Sequence, residues 1–288
     1  MQHKPVISIV TPVLNGAAYI RCLIASLKAQ SFQSWEHIII DGGSSDGTID
    51  AVTSAYSDDQ RLVLVEKPGA GIYASVITGL QIARGEILGW QNADDVYTPW
   101  ALAAVEAFQK RTSASWLTGL PGCWDSDETL RFVRPYGWYP RALIRRGWFH
   151  AELLGFIQQE SIFFTKGAFE SLLDFERNSV ADAVLAGDFL LWKRLARSQR
   201  LEVLPTVVSG FRRHRENRSH KKFEQYMREV RSDGAVFLPR GIAAICRNLF
   251  RVMSSRAALK QVDIEDRILN REIQLDIGSH HMRPDELT

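Results

Sequence analysis

Trp35-Glu-His-Ile-Ile-Ile40 runs directly into Asp41-Gly-Gly-Ser-Ser-Asp-Gly47, and from Thr48 to Tyr56 the apolar residues take up helical spacing. A β-branched run, a glycine-rich turn and an amphipathic helix, in that order, form one strand-loop-helix unit. The unit recurs on both sides. Val6-Ile-Ser-Ile-Val-Thr11 precedes a helical stretch from Ala17 to Ala29 that aligns Ile20, Leu23, Ile24 and Leu27 on one face. Leu62-Val-Leu-Val65 precedes a further helix from Ile72 to Ala83, and Glu86-Ile-Leu-Gly-Trp90 follows. This alternation predicts an α/β fold, a Rossmann-like and mostly parallel sheet covered by helices. Such sheets bind ligands beyond the carboxyl ends of their strands, where Thr11-Pro12-Val13, Asp41-Gly42-Gly43 and Asn92 to Asp95 fall.

Farther along, Ser115 to Thr118, Leu130 to Val133 and Ser161 to Phe164 read as strands, whereas Pro121 to Glu128 and Tyr136 to Pro140 read as surface loops lining a cleft. One helix is expected from Ala181 to Arg197, with Asp188 near its start, and two strands at Leu201 to Leu204 and Val207 to Phe211. The remainder is expected to be helical to about Ile277. The division this predicts is a sheet domain over residues 1–220 and a basic helical C-terminal extension over 221–288.

At 288 residues and 45% hydrophobic composition the chain can bury a full core. Its net charge of +2 gives no reason to expect nucleic acid as a partner. The charge is uneven, since Thr206 to Lys260 carries thirteen Lys or Arg against four acids, which suits phosphate groups or an acidic membrane surface and equally a solvated helix face. Cys22, Cys123 and Cys246 are widely spaced and fit a reducing cytoplasm. Neither a signal peptide nor a membrane span is read in the sequence, so a soluble or peripheral cytoplasmic protein is expected.

Asp94 and Asp95 repel each other, and the pair reads either as a hard-metal site or as an exposed turn. Asp46 or Ser45 can cap the helix after the glycine turn, which leaves the Asp41 carboxylate free for a base or a ribose. His214, within Phe211-Arg-Arg-His-Arg215, is either exposed polar surface or a neutral imidazole completing an oxygen-rich metal site. Asp188 suits a helix N-terminus for electrostatic reasons alone.

Ser8-Ile-Val-Thr-Pro-Val-Leu-Asn15, Ile40-Asp-Gly-Gly-Ser-Ser-Asp-Gly-Thr48, Gly71-Ile-Tyr73, Ala83-Arg-Gly-Glu-Ile87, Asn92-Ala-Asp-Asp95 and Ala186-Gly-Asp-Phe-Leu-Leu-Trp192 occur in the order seen in family 2 glycosyltransferases. The resemblance runs from about Pro5 to Ser219. It implies a GT-A fold, a UDP- or GDP-sugar donor, a divalent cation (Mn²⁺ or Mg²⁺), inversion at the anomeric carbon and a saccharide or lipid-linked acceptor in cell-surface polysaccharide synthesis. By the same resemblance Asp95 is the direct metal ligand, with Asp94 beside it toward the ribose. Thr11, Pro12, Asn15 and Asp41 match the nucleotide pocket, Asp188 matches the catalytic base, and His214 lies where a loop closes over metal and diphosphate.

The chain departs from the family at Pro68-Gly-Ala-Gly-Ile-Tyr-Ala-Ser-Val-Ile77, where relatives carry an acid near Gly69 or Ala74 and an Asn at Ile77. The rival reading is therefore a nucleotide-sugar-binding protein whose catalysis is weak or lost. Phe237 to Arg256 interleaves apolar residues with arginines. It reads as a helix packed on the domain or as an interfacial helix on the inner face of the plasma membrane.

Overall fold

Successive side chains of a strand point to opposite faces, and the first strands of this protein use both faces for burial. In the computed structural model, which describes residues 4–125, 129–133, 137–212 and 222–256, Ile7, Ile9 and Val13 of β1 (Ile7–Val13) join one core and Val10 joins the other. Likewise Trp35 and Ile39 of β2 (Trp35–Asp41) face one way and Ile38 and Ile40 the other. With β3 (Leu62–Glu66) and β4 (Ile87–Trp90) these strands run parallel in the order β3-β2-β1-β4.

The sheet continues through β8 (Ile162–Thr165), β6 (Trp116–Trp124), β9 (Glu202–Arg212) and β5 (Val96–Tyr97), with β7 (Leu130–Val133) beside β6. β4 and β6 are antiparallel to β8, so the expected parallel sheet is a mixed one beyond its first four strands. Helices α1 (Ile20–Lys28), α2 (Thr48–Ala55) and α4 (Ala101–Thr112) bury their apolar residues on one face. The other face holds α3 (Ile72–Ile82), α5 (Arg141–Arg145), α6 (Lys166–Glu170), α7 (Asp174–Ala181), α8 (Gly187–Leu195) and α9 (Phe223–Ser232). A last helix, α10, spans residues 240–256. Met227 and Val230 of α9 are buried in the same core as Val10 and Trp90, so the chain after residue 222 contributes to packing on the sheet.

Three expectations differ from the structure. Pro121 to Trp124 is strand: Gly122 pairs with Gly210 and Cys123 with Phe211. A Cβ on Gly210 would stand 2.0 Å from the Gly122 carbonyl oxygen, so Gly122, read as part of a loop, lies in a strand that β9 approaches closely at Gly210. The helix expected from Ala181 to Arg197 starts only at Gly187, as α8, because a preceding helix, α7, ends at Ala181 and residues 182–186 form a turn between them. The two strands expected after Leu201 are one, β9, whose register against β6 shifts between Thr118 and Leu120, where Pro205 is accommodated.

Candidate active site

β1 lies between β2 and β4, so the chain moves outward in both directions from it, and the loops after β1, β2 and β4 open at one end of the sheet. The first two are laced together. Asn15, in the left-handed region at φ 53°, donates its backbone N–H to Ser44 Oγ at 2.8 Å and accepts from Ser45 N at 2.9 Å on Oδ1. Gly16 N donates to Thr48 Oγ1 at 2.9 Å, and Ala17 N to Asp46 Oδ2 at 3.0 Å. Asp46 also accepts from Thr48, whose hydroxyl bond holds the Asp46 carboxyl below the usual range, so this residue organises the turn as expected.

Asp41 is not free as the sequence suggested. Its Oδ2 accepts from Gly43 N and Ser44 N, both at 2.8 Å, and its Oδ1 accepts from Ser44 Oγ. Gly43 sits at φ 98°, which aims these amides back at the carboxylate. Thr11 is fully buried, and its hydroxyl meets His37 Nε2 at 2.9 Å while His37 Nδ1 meets Tyr56 Oη at 2.7 Å. Pro12 alternates to the opposite face from Thr11 and is also buried.

The Asn92 to Asp95 loop abuts the β1 loop, since a Cβ on Gly16 would lie 3.5 Å from Ala93 Cβ. Asp94 is half-buried, whereas Asp95 lies below the surface at 1% exposure. Asp95 Oδ1 accepts from Arg212 N at 2.9 Å, and Arg212 Nε donates to the Asp94 carbonyl at 2.6 Å. Asp95 Oδ2 is buried and has no hydrogen-bond partner among the described residues. Burial first, then the Asp94 and Glu160 charges, push the Asp95 carboxyl well above the usual carboxylate range. No group of three or more His, Cys, Asp or Glu among the described residues is placed to hold a metal ion. A divalent cation that arrives with a diphosphate needs only one or two carboxylates from the protein. The orphaned Asp95 oxygen behind a half-exposed Asp94 fits such an ion, which would also relieve the repulsion between them.

Asp188 opens α8 from the opposite core. It is linked to the aspartate loop through aromatic packing: Tyr73 meets Trp90 edge-on at 5.6 Å, and Trp90 Nε1 donates to Asn92 Oδ1 at 3.1 Å. A Cβ on Gly187 would fall 2.4 Å from the Tyr73 ring, so glycine is required before Asp188. Tyr73 Oη donates to the Leu185 carbonyl at 2.6 Å. Burial raises the Asp188 carboxyl to about 6.

Glu229 of α9 is a residue that sequence reading did not single out. Its Oε2 accepts from Val184 N at 3.2 Å and from Leu185 N and Ala186 N, both at 3.0 Å, which fixes the turn that presents Asp188. Glu36 was missed too. It accepts from Arg84 Nε and N at 2.8 Å and from Ser8 Oγ at 2.7 Å, so the Ala83-Arg-Gly-Glu segment ties β4 to β1 and β2. His214 lies outside the described residues, two positions after the anchored Arg212. Ile77, 4% exposed, belongs to the core with Val10 and Ile38.

Comparison with known proteins agrees with this architecture. A PGL/p-HBAD biosynthesis glycosyltransferase from Mycobacterium bovis is 35% identical over 106 residues, 36% of this chain and 41% of that protein. An uncharacterized glycosyltransferase of Rickettsia prowazekii is 33% identical over 97 residues, 34% of this chain and 30% of the relative. The chain thus spans less than half the length of these relatives. Among solved structures, S. aureus TarS 1-349 in complex with UDP-GlcNAc superposes with a TM-score of 0.59 at 16% identity, covering 85% of this chain and 71% of TarS. The mannosyltransferase PcManGT of Pyrobaculum calidifontis, in complex with GDP-Man and Mn²⁺, gives 0.58 at 18% identity over 96% of this chain and 81% of its own. The fold is the GT-A fold expected from the sequence. The family profile described as Glycosyl transferase family 2 matches residues 8–168, more than half of the sequence, and the chain belongs to that family.

Proposed function

We propose that this protein transfers a sugar from a UDP- or GDP-linked donor to a hydroxyl of a saccharide or lipid-linked acceptor, with inversion at the anomeric carbon and with Mn²⁺ or Mg²⁺ bound. The observation that carries the reading is Asp188, a carboxylate raised to about 6 at the head of a helix and linked by Tyr73 and Trp90 to the aspartate loop. Such a group is ionised at neutral pH yet basic enough to take a proton from an alcohol. The acceptor oxygen bonds to the anomeric carbon, its proton passes to Asp188, and the bond to the diphosphate breaks with its electron pair leaving on the nucleoside diphosphate. Asp94 and Asp95 would hold a divalent cation there, which would neutralise the charge that builds on that leaving group.

Asp94 and Asp95 hold the cation in this reading, Asp94 from the accessible side. Asn15, Pro12 and the Asp41 turn border the nucleotide. Thr11 supports them from below, because its hydroxyl is committed to His37. UDP-GlcNAc in TarS and GDP-Man with Mn²⁺ in PcManGT support the donor class. The rival, a donor-binding protein without turnover, rests on the apolar 69–77 segment. Burial of Ile77 in the core gives that side chain a packing role and weakens the rival.

Calorimetric titration with UDP and GDP, with and without Mn²⁺, tests the assignment. The expected result is tighter binding of one nucleotide in the presence of Mn²⁺. Equal affinities with and without the ion would remove the cation from the account.

A further inference from the structure

Among the described residues, helix α10 packs on the domain along one side. Ala243 is buried, Phe250 stacks on Trp138 at 5.8 Å and meets Phe149 at 5.6 Å, and Arg247 Nη1 donates to the Glu152 carbonyl at 2.8 Å. On another side Ile242, Ile245, Leu249, Val252 and Met253 stand 51, 61, 61, 53 and 49% exposed. Their spacing places them on one stripe of the helix, about 17 Å long at roughly 1.5 Å per residue. Residues 240–256 contain four arginines, Arg240, Arg247, Arg251 and Arg256, and no Asp or Glu. Arg141, Arg145 and Arg146, in the segment that holds Trp138 and Phe149, are exposed as well.

We propose that this stripe docks the protein on an anionic phospholipid surface. The aliphatic side chains enter the boundary between headgroups and acyl chains, Arg256 at the end of the same stripe reaches the lipid phosphates, and the unopposed positive charge of the rest of the helix draws it to an anionic surface. No helix among the described residues is long and apolar enough to cross a membrane, so the contact lies in the interface plane. A second copy of the chain is a poorer occupant. Five side chains on one convex helix fall short of the roughly 800 Å² per partner of a stable protein interface, and the four arginines of each helix would add like charge with no acid on either to offset it. The proposal is independent of the assignment of Asp188.

The test is co-sedimentation of the full chain with vesicles of phosphatidylglycerol and phosphatidylcholine, beside vesicles of phosphatidylcholine alone. The wild-type protein should sediment with the anionic vesicles at low salt, fall severalfold as salt screens the charges, and stay in solution with the neutral ones. Ile245→Asp with Leu249→Asp should lower binding about tenfold at unchanged thermal stability, because both positions are exposed. Absence of sedimentation at low salt, or equal sedimentation of the double variant, would overturn the proposal. A concentration-dependent dimer that the double variant dissolves, without vesicle binding, would overturn it in favour of a second copy.

Discussion

Glu229 Oε2 accepts the backbone N–H of Ala186 at 3.0 Å, two residues before Asp188 and forty-three residues away in sequence. The same oxygen takes the amides of Val184 and Leu185, so one carboxylate from α9 satisfies the donors of the turn that breaks α7 from α8. Glu229→Ala leaves three amides without this acceptor and should cost about 1–3 kcal/mol of stability, read as a lower Tm. Because the turn carries Asp188, kcat should fall more than the KM for donor rises, and Glu229→Gln should recover part of both losses. An unchanged kcat in a destabilised Glu229→Ala protein would make Glu229 structural only.

The aspartate pair divides its labour by depth. Asp95→Asn retains an oxygen for Arg212 N, so the fold should persist while the Mn²⁺-dependent gain in nucleotide affinity drops at least tenfold, about 1.4 kcal/mol. Asp94→Ala keeps the backbone carbonyl that Arg212 Nε holds, and should lose the same gain with no change in Tm. Calorimetry with and without Mn²⁺ checks both. A gain that survives in both variants places the cation elsewhere.

His37 makes the fold acid-sensitive. It is fully buried between Thr11 and Tyr56, and burial lowers its ring to about 3. The depressed value means its contribution is fully present above the ordinary value near 6.5 and is lost as pH falls toward 3, at up to about 1.4 kcal/mol per pH unit. Asp188 acts with the opposite sign: raised to about 6, it adds stability in acid that is lost as pH rises through 6. The difference in unfolding free energy between wild type and His37→Gln isolates the histidine. That difference should shrink steadily from pH 6.5 to 4, and a constant difference would show that His37 is not held neutral.

Much of this was legible because it is local. β1 to β4 announce themselves as β-branched-rich runs bounded by Pro, Gly or Asp, and a parallel sheet puts their ends on one side, so the loops that carry Asn15, Asp41 and Asp94 open at the same end without any further information. Most of what escaped depends on distant partners. Nothing near Glu229 in sequence tells that it will cap Val184 to Ala186. The Asp41 bonds to Gly43 and Ser44 are local, and they escape a reading in which Asp46 or Ser45 supplies the turn's hydrogen bonds. Gly122 reads as a loop residue because its role is the closeness of two strands that meet only in the folded sheet. Asp95 was expected in an open loop and is buried, because Arg212 from β9 closes over it.

The central claim is that Asp188 takes the acceptor proton, and nucleoside diphosphate release measured across UDP- and GDP-sugars and acceptors tests it most directly. The account predicts acceptor-dependent release by the wild-type protein, with kcat/KM rising with pH through about 6 as Asp188 ionises. Asp188→Asn should bind donor within threefold of wild type and release product about 10² to 10⁴ times more slowly. Donor binding without release for every acceptor, or an Asp188→Asn protein within a fewfold of wild type, would contradict it.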